Sequence, residues 1–152
     1  SDHDPIIVGL NLSSEVPGEI IEGTARRDAL PGTDGNDTLT GFQGRDTLTG
    51  GAGSDRFVYT SIVDAGDIIT DFEVGSDVID LGDVLTGVGY AGVDPIAEGY
   101  VGFRDRRGST IVAFDADGAA GRGRARSFLL VNVVSSADLN NSANFDFGIV
   151  PS

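Results

Sequence analysis

The 152-residue sequence has no cysteine, methionine, tryptophan or lysine, and only one histidine. Without cysteine there is no disulfide framework, no thiolate nucleophile and no thiolate-ligated zinc. The histidine, His3, lies in the leading segment Ser1-Asp2-His3-Asp4-Pro5. A zinc-protease helix needs two histidines four residues apart, so that chemistry is excluded, and a Ser-His-Asp triad would have to recruit a terminal residue. No apolar run approaches the ~18–20 residues of a transmembrane helix, so membrane insertion is not expected. The first residues show neither a basic n-region nor an apolar h-region, and no signal peptide is expected. Positive charge is scarce: 10 Arg stand against 24 acidic residues, a net charge of −14. That balance argues against nucleic acid and anionic lipid as partners, because both want clustered cations.

What remains is rich in aspartate and glycine. Nineteen of the 24 acidic residues are Asp, and there are 23 Gly. A hydrophobic fraction of 39% leaves enough for a core, and one domain of this length buries roughly 68–70% of the unfolded chain's surface. A net charge of this size opposes compaction through self-repulsion. Asp beside Gly belongs in turns, where a short carboxylate sits close to its own backbone. Hard cations such as calcium are held by carboxylates mixed with main-chain carbonyls. Composition therefore points to a turn-rich β protein that binds calcium.

The chain contains an internal repeat. From Gly32 it reads GTDGNDTLT, from Gly41 GFQGRDTLT and from Gly50 GGAGSDRFV. The first glycines, the fourth-position glycines Gly35, Gly44 and Gly53, the aspartates Asp37, Asp46 and Asp55, and the apolar Leu39, Leu48 and Phe57 all recur every nine residues. A degenerate copy precedes them, Gly23-Thr-Ala-Arg26-Arg-Asp28-Ala-Leu30-Pro31, with Arg26 in place of the fourth glycine. Glycines allow a tight loop whose carbonyls turn toward one point, and the aspartate closes it. The next three residues form a minimal strand with its central side chain directed inward. Two copies complete one coil, so loops two copies apart stack at about the 4.7–4.9 Å strand spacing. A metal-free meander of hairpins is the plainer reading of such turns, but a four-column match over three successive copies favours a cation cage.

These nonapeptides resemble the RTX (repeats-in-toxin) family of Gram-negative secreted proteins. Asp67-Ile-Ile-Thr-Asp71-Phe72-Glu-Val-Gly75-Ser-Asp77-Val-Ile79-Asp80-Leu81 is similar to the segment that follows the roll in secreted metalloproteases, adhesins and alginate epimerase modules. Asn144-Phe145-Asp146-Phe147-Gly148-Ile149-Val150 resembles the C-terminus of type I secretion substrates. The resemblance implies an all-β fold, a short parallel β-roll running into a C-terminal β-sandwich or jelly-roll-like part. It would have a leading segment at 1–19, a roll at 20–58 and the sandwich with the secretion signal at 59–152, with 20–152 as one cooperative unit.

It also implies about two to four Ca2+ ions. One site would use Thr33, Gly35 and Asp37 with Gly50, Ala52 and Asp55. A second would use Thr24, Arg26 and Asp28 with Gly41, Gln43 and Asp46. A third would start from Phe42, Gly44 and Asp46 and take its partner loop beyond Val58, where Asp64 falls in register. The outgoing loop with Gly51, Gly53 and Asp55 would be capped by Asp71, together with Asp67.

Short strands are expected at 55–60, 67–71, 77–81, 99–104, 109–115 and 126–134, separated by Gly, Pro and Asp turns. The run 128–134 is apolar on both faces, as in a strand central to a sandwich. Ser136-Ala-Asp-Leu opens one short helix with a serine cap. Asp115-Ala-Asp117-Gly118 reads as a polar turn, because Arg126 stands where a calcium loop beginning at Asp115 would place its Glu. Arg122, Arg124 and Arg126 alternate with small residues, and on a strand they would share a face able to dock an anionic polysaccharide; a charged edge is the plainer reading.

Function is therefore expected to be that of a non-catalytic calcium-binding module of an extracellular or cell-surface protein. It would pass the type I ABC transporter unfolded, carry the export signal, and fold on meeting calcium outside. A carbohydrate-binding accessory module for alginate or another uronate is the alternative.

Overall fold

The computed structural model describes residues 16–121 and 123–149; His3 and the rest of the first fifteen residues, Arg122 and Val150 lie outside them. Two sheets face each other across one apolar layer. The first holds β1 (Ile20–Glu22), β3 (Thr38–Thr40), β5 (Arg56–Val58), β7 (Val78–Asp80) and β11 (Phe145–Asp146), in that order. The second runs β2 (Ala29–Pro31), β4 (Thr47–Thr49), β6 (Asp67–Ile69), β10 (Arg126–Val131), β9 (Ser109–Phe114) and β8 (Val101–Arg106).

The nonapeptide dictates the first part of this architecture. Each copy supplies one three-residue strand, and successive strands alternate between sheets, so pairing is parallel and skips one copy. The inward position of every copy joins a row across its sheet. Ile21, Leu39, Phe57, Ile79 and Phe145 align in the first sheet. Leu30, Leu48, Ile69 and Val131 align in the second. Leu39, Leu48, Phe57, Ile69, Ile79 and Val131 are wholly buried. Each such side chain contributes about 1.5–3 kcal/mol from leaving water.

After β5 the coil lengthens. Partners that were 18 residues apart become 21 apart at Asp46–Asp67 and 22 apart at Asp55–Asp77. The extra residues enlarge the loops without breaking the sheets. β10 joins β6 in parallel, and β9 and β8 then extend the same sheet antiparallel. The roll and the C-terminal strands thus share both sheets and one core. At the junction Tyr59 packs edge-on against Phe128 at 5.1 Å, and the Gly66 N–H donates to the Phe128 carbonyl at 2.7 Å.

The fold is all-β with a parallel roll, and its central apolar strand is β10, between β6 and β9. β10 stops at Val131, short of the expected 134, because Val133 turns left-handed at φ 62. The short helix α2 (Ser136–Leu139) is capped by the preceding Ser135, whose hydroxyl accepts the Asp138 N–H. Helix α1 (Gly82–Gly87) was not expected; it has glycine at both ends and only Val84 and Leu85 to bury. Among the described residues no helix is long and apolar enough to cross a membrane.

Candidate metal centre

The loops between strands stack on two flanks of the roll. Loops leading from the first sheet to the second lie on one flank: residues 23–28, 41–46 and 59–66. Loops leading back lie on the other: 32–37, 50–55 and 70–77.

An aspartate ladder runs up each flank. On the first, the Asp28 N–H donates to Asp46 Oδ1 and the Asp46 N–H to Asp67 Oδ1, both at 2.8 Å. On the second, the amides of Glu19, Asp37 and Asp55 donate to the Oδ1 atoms of Asp37, Asp55 and Asp77 at 2.7–2.9 Å. One oxygen of each repeat aspartate from Asp37 onward thus braces the coil before it. These carboxylates are structural as well as negative.

The second oxygen separates two kinds of loop. In copies one and two, position two is threonine, and Asp28 Oδ2 and Asp37 Oδ2 accept the N–H and hydroxyl of Thr24 and Thr33. In copies three and four that position is Phe42 or Gly51, both left-handed, at φ 65 and φ 92. Asp46 Oδ2 and Asp55 Oδ2 are then buried with no hydrogen-bond partner, as is Asp67 Oδ2. A buried, unpaired carboxylate oxygen is costly, and paired charge or metal is what usually offsets it.

Main-chain oxygens crowd the same spaces. A Cβ on Gly51 would stand 2.1 Å from the Thr33 carbonyl oxygen, and one on Gly53 2.4 Å from that of Gly35. Both glycines have positive φ, so this close approach admits no side chain. On the first flank a Cβ on Gly44 would meet the Arg26 carbonyl at 2.5 Å. Arg26 itself has no positive φ, so the missing glycine of copy one does not prevent stacking. Among the described residues no three acidic or histidine side chains form a metal-binding group by themselves. The donor set is instead one or two carboxylates per space with carbonyls around them, which is what calcium takes.

Burial dominates the electrostatics. It pushes the Asp55 carboxyl up to about 6, helped by the charges of Asp77, Asp37 and Asp71 and opposed by the Asp37 amide. It pushes Asp67 up to about 7, with Asp46 and Asp64 adding to it. Asp46 and Asp77 are raised for the same first cause. Asp37 goes the other way: burial opposes, but donors from Thr33 and Glu19 hold it below the usual carboxylate range. Without a cation, the fold forces its inner carboxylates toward the protonated form.

The residues anticipated from sequence fall as follows. Loop Thr33, Gly35, Asp37 stacks on Gly50, Ala52, Asp55, with the Ala52 N–H reaching the Thr33 carbonyl at 3.2 Å. Loop Thr24, Arg26, Asp28 meets the loop of Gly41, Gln43, Gly44 and Asp46. Asp71 caps the outgoing loop, accepting the Gly50 and Gly51 amides at 2.8 Å. Asp67 does not join it; it belongs to the Asp46 ladder on the opposite flank. The in-register Asp64 is turned to its own loop, accepting the Thr60 and Ser61 amides at 3.0 Å. The inserted residues divide between Asp64 and Asp67 the two tasks that Asp37 performs alone in copy two. Tyr59 and Asp77 were not anticipated as site residues, because nine-residue counting stops at the insertions.

Of the three arginines singled out from sequence, Arg124 and Arg126 fall among the described residues. Arg124 lies before β10 and Arg126 at its first position, so they do not share a strand face. The Gly123 N–H donates to Asp117 Oδ2, holding that segment on the Asp115–Asp117 turn. Both arginines line a cavity of about 490 Å3 together with Asp115 and Asp117. Carboxylates in the same cavity oppose an anionic guest.

Residues 22–57 match the RTX calcium-binding nonapeptide repeat in four copies. No curated protein sequence matches the chain significantly. Among solved structures, the chain is similar to the AlgE6R2 subunit of the Azotobacter vinelandii mannuronan C5-epimerase. The TM-score is 0.56 at 22% identity, over 90% of this chain and 96% of that one. The AlgE6R3 subunit of the same enzyme aligns with TM-score 0.46 at 24% identity, over 95% and 86%. The fold is shared with the first of these subunits, and residues 22–57 are four consecutive RTX calcium-binding nonapeptide repeats.

Proposed function

We propose that the chain is a non-catalytic calcium-binding module of an extracellular protein, which folds when calcium binds the loop spaces of its roll. The observation that carries this reading is the pair of buried, unpartnered oxygens, Asp46 Oδ2 and Asp55 Oδ2, facing stacked carbonyl loops. At neutral pH these carboxylates destabilise the empty fold, and calcium binding to the native state alone adds RT ln(1 + [L]/Kd) per site. The loops of copies three and four provide the open oxygens, which supports at least two ions. The expected Kd lies near the ~10⁻⁴–10⁻³ M of extracellular calcium modules.

That coupling suits type I export: where calcium is scarce the chain stays loose enough to thread a transporter, and outside it folds. The C-terminal residues that resemble an export signal include Phe145, which is buried as part of β11, so the signal would be read before folding. Far-UV circular dichroism at pH 7.5 tests the reading. β structure should appear as calcium rises through the sub-millimolar to millimolar range, and a chain equally folded in EDTA would refute it.

A second reading has its own observation. The outer face of the six-stranded sheet carries Arg104, Ile111, Leu130 and Ile68 in one row. Arg106 joins the last three around a groove of about 190 Å3. Mannuronan, which gives its name to the enzyme whose subunit shares this fold, is a polyanionic glycan that the Arg104 and Arg106 guanidinium groups beside this groove would suit. Retention on immobilised alginate in calcium, lost in the double variant Arg104→Ala, Arg106→Ala, would support glycan docking; no retention by the native chain would dismiss it.

A further inference from the structure

One side chain of the C-terminal segment reaches a loop on the second flank of the roll. We infer that Asn144 is a positioning residue for calcium there: it holds loop 70–77 against loop 50–55, and so keeps the oxygens between them in place. This deepens the calcium reading and rests on it.

Asn144 ends the short 3-10 turn Ser142–Asn144 and is 1% exposed. Its Nδ2 donates to the Asp138 carbonyl at 3.1 Å and to the Leu139 carbonyl at 3.3 Å. Those are last-turn carbonyls of α2, beyond the reach of the helix's own amides. Its Oδ1 accepts the Gly75 N–H at 3.2 Å. A reversed amide would set donor against donor and oxygen against both carbonyls, so one orientation fits. The side chain thus joins the end of α2 to the tip of loop 70–77 through a single buried amide.

Gly75 turns that tip at φ 83, and its neighbours make the contacts to the loop below. The Ser76 hydroxyl donates to the Gly53 carbonyl at 3.1 Å. Asp77 Oδ1 accepts the Asp55 N–H at 2.9 Å. At the other end of the loop Asp71 accepts the Gly50 and Gly51 amides. Loop 70–77 therefore covers the loop whose Asp55 Oδ2 is buried and unpartnered. It lies beyond residue 57, so the nine-residue pattern does not shape it, and Glu73, Val74 and Gly75 are exposed. Asn144 supplies the strut that the repeat supplies elsewhere. The first flank is tied to the C-terminal strands differently, through the Gly66 N–H and the Phe128 carbonyl. Loss of Asn144 should therefore loosen one flank and spare the other.

Amide exchange followed by NMR on the full chain in millimolar calcium at pH 7.5 tests the assignment. In Asn144→Ala, and in the milder Asn144→Ser, the Asp55 N–H should exchange about two- to tenfold faster relative to the Asp46 N–H, the range that one hydrogen bond supports. A loosened space releases its calcium, so raising calcium tenfold should restore the lost protection by mass action. Equal acceleration at Asp46 and Asp55 overturns the assignment, as does a loss that calcium does not repair; both leave the calcium reading intact. If neither variant folds, the native chain decides. Its Gly75 N–H should gain protection in parallel with the Asp55 N–H as calcium rises, and a Gly75 amide that exchanges freely in saturating calcium overturns the assignment. Equal protection of the Asp46 and Asp55 amides with and without calcium in the native chain overturns the calcium reading itself.

Discussion

Stability of the calcium-free protein should fall as pH rises from about 4.5 to about 7.5, the reverse of ordinary acid denaturation. Asp55 and Asp67 titrate at about 6 and about 7 in the fold against 3.8 unfolded, chiefly because burial penalises their charge. In that window the native state binds more protons than the unfolded state, so the slope of unfolding free energy with pH is negative. At about 1.4 kcal/mol per pH unit, the full transitions amount to about 3 kcal/mol for Asp55 and about 4 kcal/mol for Asp67. The two lie on opposite flanks and share no direct contact, so their effects roughly add. A total near 7 kcal/mol matches the whole stability of many domains, about 5–15 kcal/mol. Below about pH 4 the trend turns over. Asp37 and Asp146 are held below the usual range in the fold, so their contribution is present above about 3.8 and lost as pH falls through their folded values. The empty protein should therefore be most stable near pH 4. With calcium the slope reverses between about pH 5 and 7, because protons and metal compete for the same oxygens. Urea titrations followed by dichroism, in EDTA and in millimolar calcium across this range, measure both curves. A flat or rising EDTA curve between pH 4.5 and 7.5 would refute the electrostatic reasoning.

Other perturbations separate core, cage and surface. Leu39→Ala removes a wholly buried side chain from the first sheet's inward row and should cost about 2–5 kcal/mol in calcium-bound urea melts. Gly53→Ala forces a Cβ against the Gly35 carbonyl at positive φ, and calorimetry should show weakened calcium binding with about 1–3 kcal/mol of lost stability. Arg56→Gln breaks ion pairs to Asp80 and Asp146 that are partly solvent-exposed. Its melting free energy should drop by no more than about 1 kcal/mol, and less in high salt.

The nonapeptide made the roll legible because strand, loop and inward residue all recur in one nine-residue unit. Leu39, Leu48 and Phe57 could be assigned to the core from spacing alone. Spacing failed where the coil lengthened, which is why Asp64 was counted into the place Asp67 occupies. The continuity of the sheets was also hidden. β11 pairs with β7 across 66 residues, at Phe145 and Ile79, and no local pattern announces a two-residue strand. The distinction between Thr24 or Thr33 and Phe42 or Gly51 at position two was visible as letters. Its meaning emerged only with the hydrogen bonds, which satisfy one pair of aspartates and leave the other open.

Amide exchange on the ladder tests calcium-dependent folding most directly. The N–H groups of Asp37, Asp46 and Asp55 each donate to an aspartate one coil on. Followed by NMR at pH 7.5, they should be strongly protected in millimolar calcium and exchange at nearly unfolded rates in EDTA. Equal protection in both buffers would contradict a fold that calcium completes.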